Sequence, residues 1–102
     1  MRVIYKEPGK EPRTMVIPNE LKVLQDLVGG YIETLKIADN VVMIFNEEGK
    51  LLDLAPNFFV GAIGDVILGP VIITGEDGDE FTSLSEHDAA FIGGILRGGF
   101  DI

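Results

Sequence analysis

Apolar and polar residues alternate from the start of the chain: Val3-Ile4-Tyr5 lies between Arg2 and Lys6, and Met15-Val16-Ile17 follows Arg13-Thr14. Period-two patterning in short stretches rich in β-branched residues predicts strands over 2–7 and 13–17. The connector Glu7-Pro8-Gly9-Lys10-Glu11-Pro12 carries a Pro-Gly turn signal, so the two strands are expected to form a hairpin. The period then changes. Leu21, Leu24 and Val28, with Val23 and Leu27 beside them, recur at helical spacing. Pro18-Asn19 opens this helix, with Asn19 as the expected N-cap and Glu20 in the first turn. Gly29 suits the left-handed position that ends it. At about nine residues, such a helix depends on packing to persist.

Residues 31–38 and 41–46 read as an antiparallel pair joined at Asp39-Asn40. Tyr31, Glu33, Leu35 and Ile37 share one face of the first strand, and Ile32 lies on the other. The second strand, Val41-Val42-Met43-Ile44-Phe45, is apolar on both faces and is therefore expected inside the sheet. A turn follows over 46–50, with Gly49 placed to take positive φ, and Leu51-Leu52-Asp53-Leu54 is expected to return as a short strand ended by Pro56. Residues 58–64 read as an apolar connector with a helical turn. Residues 65–74 read as one buried strand, bent or bulged at Gly69-Pro70. Gly75-Glu76-Asp77-Gly78-Asp79 is a polar turn into a short strand near Phe81. Ser83 with Glu86, or Ser85 with Asp88, has capping-box spacing for a last helix carrying Ala89, Phe91, Ile92, Ile95 and Leu96. Gly93-Gly94 inside that helix predicts a frayed end or a bend.

These elements predict an α+β fold over a single domain, 1–102. It is a small, mainly antiparallel sheet of about five strands in the order β-hairpin, helix, β-hairpin, further strand, C-terminal helix, with the helices packed on the sheet. At 102 residues and 46% hydrophobic, the chain can bury a core unaided. Residues 54–75 carry Asp65 as their sole charge, yet Pro56, Pro70, four glycines and the central Asp65 argue against a membrane span.

Charge changes the picture more than composition does. The formal net charge is −9. Residues 1–50 hold seven basic side chains against eight acidic ones, whereas residues 51–102 hold nine acids against Arg97 alone. Direct nucleic-acid binding requires clustered Lys and Arg and is not expected. An acidic half fits a basic protein surface, including one built to hold nucleic acid. Without cysteine, and with a single histidine, the chain offers no disulfide, no thiolate metal site and no multi-histidine centre, and no cofactor is expected.

Candidate chemistry is sparse. Nothing in the spacing of Glu33, Glu47, Glu48 and Asp65 requires a catalytic dyad, and solvated faces and turns account for them. Asp77-Gly78-Asp79-Glu80 lacks the ligand array of a calcium loop and reads as a turn. His87 stands alone at an exposed helical position. Ser83 and Ser85 lack a nucleophile elbow. Gly29-Gly30, Gly93-Gly94 and Gly98-Gly99 do not form a phosphate-cradling loop. No enzyme is expected.

Three blocks carry a resemblance: Glu7-Pro8-Gly9-Lys10; Leu24-Gln25 with Val28-Gly29-Gly30-Tyr31-Ile32-Glu33; and Asn46-Glu47-Glu48-Gly49-Lys50-Leu51. With Asn57, Asp65-Val66-Ile67-x-Gly69 and Phe81-x-Ser83-Leu84, the chain resembles the domain-of-unknown-function family 3846 over nearly its whole length. The family often has arginine after the position of Asn57, where this chain has Phe58. Its connector to Asp65 is longer and less apolar, and it favours threonine where Pro70 stands.

The resemblance implies a phage or mobile-element accessory protein made in the bacterial cytoplasm, encoded beside genes that counter host defence. Tyr31, Glu33, Asn46, Glu47, Lys50 and Asn57 become candidate ligand- or partner-binding residues. Glu76, Asp77, Asp79, Glu80, Glu86 and Asp88 become a candidate acidic partner surface. The expected function is protein binding that antagonises a host nucleic-acid-handling defence enzyme. Two alternatives stand beside it. One is a nucleotide-signal binder built on Tyr31, Asn46, Lys50 and Asn57. The other is a structural or homodimerisation module that uses Phe58-Phe59-Val60.

Overall fold

A computed structural model describes residues 1–99 and 102. Strand β1 (Arg2–Lys6) and β2 (Arg13–Val16) form the expected hairpin, with Arg2 opposite Val16 and Tyr5 opposite Arg13. Helix α1 (Leu21–Val28) follows, then the antiparallel pair β3 (Ile32–Ala38) and β4 (Val41–Asn46). Next come β5 (Pro56–Val60), β6 (Asp65–Leu68), β7 (Val71–Asp77), β8 (Glu80–Thr82) and α2 (Glu86–Arg97). The main sheet runs β2-β1-β7-β4-β3, with β8 paired to the last residues of β7, and every pairing in it is antiparallel. The α+β class, the mainly antiparallel sheet and the two packed helices are as the patterning predicts. β5 and β6 form a separate two-stranded ribbon.

Alternation along the strands sorts the core into two layers. Val3 and Tyr5 of β1, Ile44 of β4 and Ile72 of β7 face α1, which contributes Leu24 and Val28. Ile4, Met43, Val71 and Ile73 face the other way, against Ala89, Ile92 and Leu96 of α2 and against Val60 and Ile67 of the ribbon. Leu35 and Ile37 join this second layer and Ile32 the first, as their alternation in β3 requires.

Several local expectations are corrected. The N-cap position of α1 is Glu20, with extended backbone and no side-chain capping bond. Asn19 instead donates from Nδ2 to the Phe81 carbonyl at 2.8 Å, so a tertiary partner takes the side chain that would have capped. Leu51-Leu52-Asp53-Leu54 is a run of turns rather than a strand. Its amides bond locally, Leu52 N–H to Glu48 O and Leu54 N–H to Gly49 O, and Asp53 takes φ 53°. Gly49 does not adopt positive φ. What it supplies is clearance, because a Cβ there would lie 3.1 Å from the Leu68 carbonyl.

Pro56 starts a strand instead of ending one, and residues 58–60 are extended rather than helical. Gly69, at φ +86°, breaks the span 65–74 completely, so that β6 and β7 enter different sheets. β7 itself continues through Gly75 to Asp77, which shortens the polar turn to Gly78-Asp79. α2 passes through Gly93-Gly94 without interruption. Gly93 is buried there, its missing Cβ 3.9 Å from Ile4 Cδ1, so packing on β1 holds the helix where propensity would loosen it. Ser85 is its N-cap, accepting from the Asp88 amide at 3.1 Å. The segment Phe58-Phe59-Val60 is not an exposed apolar patch: Val60 is fully buried, Phe58 half-buried, and Phe59 alone is substantially open. Among the described residues no helix is long and apolar enough to cross a membrane.

Candidate functional site

The chain reversal after α1 places the first group of candidate residues. Gly29 takes φ +81° and, with Gly30, donates to the Gln25 carbonyl, closing the helix in the left-handed manner its sequence predicts. Two carbonyls of the last turn find partners from the sheet. The Tyr5 hydroxyl donates to Leu27 O at 2.8 Å, and Asn46 Nδ2 donates to Val28 O at 3.1 Å. Asn46 Oδ1 accepts from the Glu48 amide at 2.7 Å, which builds the following turn. Asn46 is buried, and a Cβ on Gly30 would sit 2.9 Å from its amide nitrogen. The side chain is therefore a structural joint between helix, sheet and turn. Tyr31, 65% exposed, stands beside a shallow hollow formed by Gly29, Gly30 and Asn46.

Glu33, Asn46, Glu47 and Lys50 line one groove of about 560 Å³ between the β3–β4 end of the sheet and the ribbon. Its apolar lining comes from Phe45, Leu51, Ile63, Val66, Ile67 and Leu68. Lys50 forms an ion pair with Asp65 across the groove. The Lys50 ammonium, helped by the Val66 amide at 2.8 Å, holds the Asp65 carboxyl below the usual carboxylate range. Four of the six motif candidates thus converge here, and Tyr31 and Asn57 lie outside the groove.

Asn57 occupies the extra position of a bulge in β5, since the register shifts between Pro56 and Phe58. A bulge re-aims a side chain out of the ladder, and Asn57 is turned toward the end of β1. Its Nδ2 donates to Lys6 O at 2.8 Å and to Gly69 O at 2.9 Å, while its Oδ1 accepts from Lys6 Nζ at 2.9 Å. All of these bonds are internal. Lys6 is 9% exposed, and burial pushes its pKa below the ordinary lysine value. It lines a second cleft of about 440 Å³ with Lys10, Arg97, Phe58 and Phe59. Neither Lys6 nor Arg97 was singled out as a candidate from the sequence. A signal existed for Lys6: alternation puts it on the core-facing side with Ile4, where a lysine is out of place.

The acidic candidates gather at the opposite end of the sheet. In register, Phe45 of β4 lies opposite Val71 of β7 at one end, and Val41 opposite Gly75 at the other. Glu76 and Asp77 extend β7 beyond Gly75, with Asp79 and Glu80 completing the hairpin into β8. Glu86 and Asp88 occupy the first turn of α2, where carboxylates complement the helix dipole. Of these six, Glu86 has a salt-bridge partner among the described residues, Arg2 at 3.5 Å. His87 stacks on Phe91 with ring centroids 6.4 Å apart.

A family model with the description Domain of unknown function (DUF3846) matches residues 1–96. No curated protein and no solved structure matches the chain.

Proposed function

The chain belongs to this family of unknown function, and from that premise we propose that it is a non-enzymatic accessory protein that acts by binding another protein. The observation that carries this reading is the acidic end of the sheet. Glu76, Asp77, Asp79 and Glu80 sit on one hairpin, with Glu86 and Asp88 on the adjoining helix start. Four of these six, Asp77, Asp79, Glu80 and Glu86, are exposed, and carboxylates this little neutralised generate a field that steers and orients a basic surface. In the phage or mobile-element setting that the resemblance implies, the fitting partner is a host nucleic-acid-handling defence enzyme, whose surface must be basic to hold its substrate.

The test compares capture from bacterial lysate by the wild-type chain and by an Asp77→Asn, Asp79→Asn, Glu80→Gln variant. The three positions are exposed, so the variant is expected to keep the wild-type melting temperature. A partner held at low salt, released at high salt and lost from the variant supports the reading. Equal capture by both proteins, or none by either, overturns it.

A further inference from the structure

The chain has eight basic side chains, and most of them face a carboxylate. Arg2 pairs with Glu86, Lys10 and Arg13 with Glu7, Lys22 with Asp26, and Lys50 with Asp65. Among the described residues Lys6, Lys36 and Arg97 have no such partner. Lys36 is exposed on the edge strand β3. Lys6 and Arg97 come from opposite ends of the sequence and line the same cleft. Within the described residues two cations thus stand without carboxylates in one cleft of a chain of net charge −9, and Lys10, paired with Glu7, lines the same cleft.

Each has donors to spare. An ammonium carries three N–H bonds. Lys6 Nζ uses two, to Glu7 O and Asn57 Oδ1, both at 2.9 Å. Both acceptors are neutral, so the part-buried ammonium of Lys6, a residue 9% exposed overall, keeps one donor and meets no carboxylate within the described residues. Arg97 makes one long bond, 3.5 Å from Nη2 to the Pro12 carbonyl, and its other guanidinium donors have no partner among the described residues. Its charge also offsets the negative end of the α2 dipole. Lys6 offsets no helix dipole, and part-burying an ammonium without an anion is costly even where neutral acceptors such as Asn57 meet it. Asn57 holds Lys6 in place through the bulge in β5. Glu11 is the one carboxylate lining the cleft among the described residues. Phe58, packed on the core, and Phe59, substantially exposed, add apolar surface to the lining.

We propose that the cleft of Lys6, Lys10, Arg97, Asn57, Phe58 and Phe59 binds a small phosphate monoester with a flat apolar body. The phosphate takes the free donors of Lys6 and Arg97, and the body lies on Phe59. Two cations without a carboxylate among the described residues, Lys6 and Arg97, suit a dianion better than a single carboxylate. The volume of about 440 Å³ falls in the range of small-molecule sites. The cleft lies at the Lys6–Val71 end of the sheet, away from the acidic hairpin, so the proposal does not depend on protein binding there.

Calorimetric titration of the whole chain at low ionic strength with phenyl phosphate, benzoate and phenol tests it. Phenyl phosphate is expected to bind, benzoate more weakly, and phenol not measurably. Arg97→Gln, at an exposed position, should fold normally and bind phenyl phosphate about tenfold more weakly, the loss of one charge-assisted bond. Lys6→Met keeps the volume of the buried stem and should show a similar loss. The hairpin variant Asp77→Asn, Asp79→Asn, Glu80→Gln should bind as the wild type does. Absence of phenyl phosphate binding, equal binding of phenol, or wild-type affinity in Arg97→Gln overturns the proposal.

Discussion

Asn46 and Val28 meet through a single hydrogen bond, 3.1 Å from the amide nitrogen to the carbonyl, that ties the last turn of α1 to the end of β4. The same side chain accepts from the Glu48 amide at 2.7 Å and is almost fully buried. Removing it orphans a buried acceptor and a partly buried donor at once. Asn46→Ala is expected to cost about 2–3 kcal/mol in urea unfolding, since each unsatisfied group costs about 1–3 kcal/mol. Asn46→Asp preserves the shape and the Glu48 bond but sets a carboxylate against the Val28 carbonyl at the negative end of the helix. It should be at least as destabilising as alanine. A smaller loss for aspartate would show that the bond to Val28 contributes little.

Gly29 tests the same joint through the backbone. At φ +81° an L side chain pays about 1–2 kcal/mol, and β-branching adds to that. Gly29→Val should lower stability by at least that amount, and Gly29→Asn by less, because asparagine tolerates the left-handed region. Equal melting temperatures for valine and asparagine would mean that the turn rebuilds around either residue.

The joint was legible in the sequence because its parts are local: apolar spacing, a glycine stop and a strand start within ten residues. Asn46 was singled out by its motif, but its role follows from alternation, which puts it on the α1-facing side with Ile44. The ribbon was not legible. Pro56 and Gly69-Pro70 read equally well as an end and a bend. It takes the strand pairing to show that the chain leaves the main sheet for the ribbon after β4 and returns to it at β7, with the bonds of Asn57 to Lys6 and Gly69 holding that junction. The basic cleft escaped for a related reason. Its cations lie ninety-one positions apart in sequence at Lys6 and Arg97, and they meet because α2 crosses the face that carries Ile4. A charge count by halves assigns them to opposite ends of the chain.

Asn57 anchors the ribbon to the sheet by three hydrogen bonds, two donated to backbone carbonyls and one accepted from Lys6. Asn57→Ala should destabilise the protein by about 2 kcal/mol, a sum of modest net bond energies. The loss should be felt first where those bonds act. Amide exchange in β5 and β6 is expected to accelerate more than exchange in β4, which keeps its partners on both sides. Uniform acceleration across both sheets would show that the ribbon has no separate opening.

Lys6 gives the fold a defined alkaline behaviour. Burial holds its pKa below the ordinary lysine value. Below that lowered value the amine is protonated in folded and unfolded chains alike, and the folded state bears the cost of its partial desolvation. As pH rises from there toward the unfolded lysine value, the unfolded chain holds more protons, so the contribution of Lys6 to stability increases. Tyr5 acts in the opposite sense. Burial raises its pKa, with Glu7 adding to the rise and Arg13 opposing it, so its phenol ionises first in the unfolded chain and stability falls as pH passes the unfolded tyrosine value. Comparing the wild type with Lys6→Met keeps Tyr5 in both proteins and isolates the amine. The stability of wild type minus that of Lys6→Met, measured by urea unfolding, should rise between neutral pH and the unfolded lysine value of about 10.4. A difference that stays level across that window would mean that the Lys6 ammonium is solvated in the folded protein.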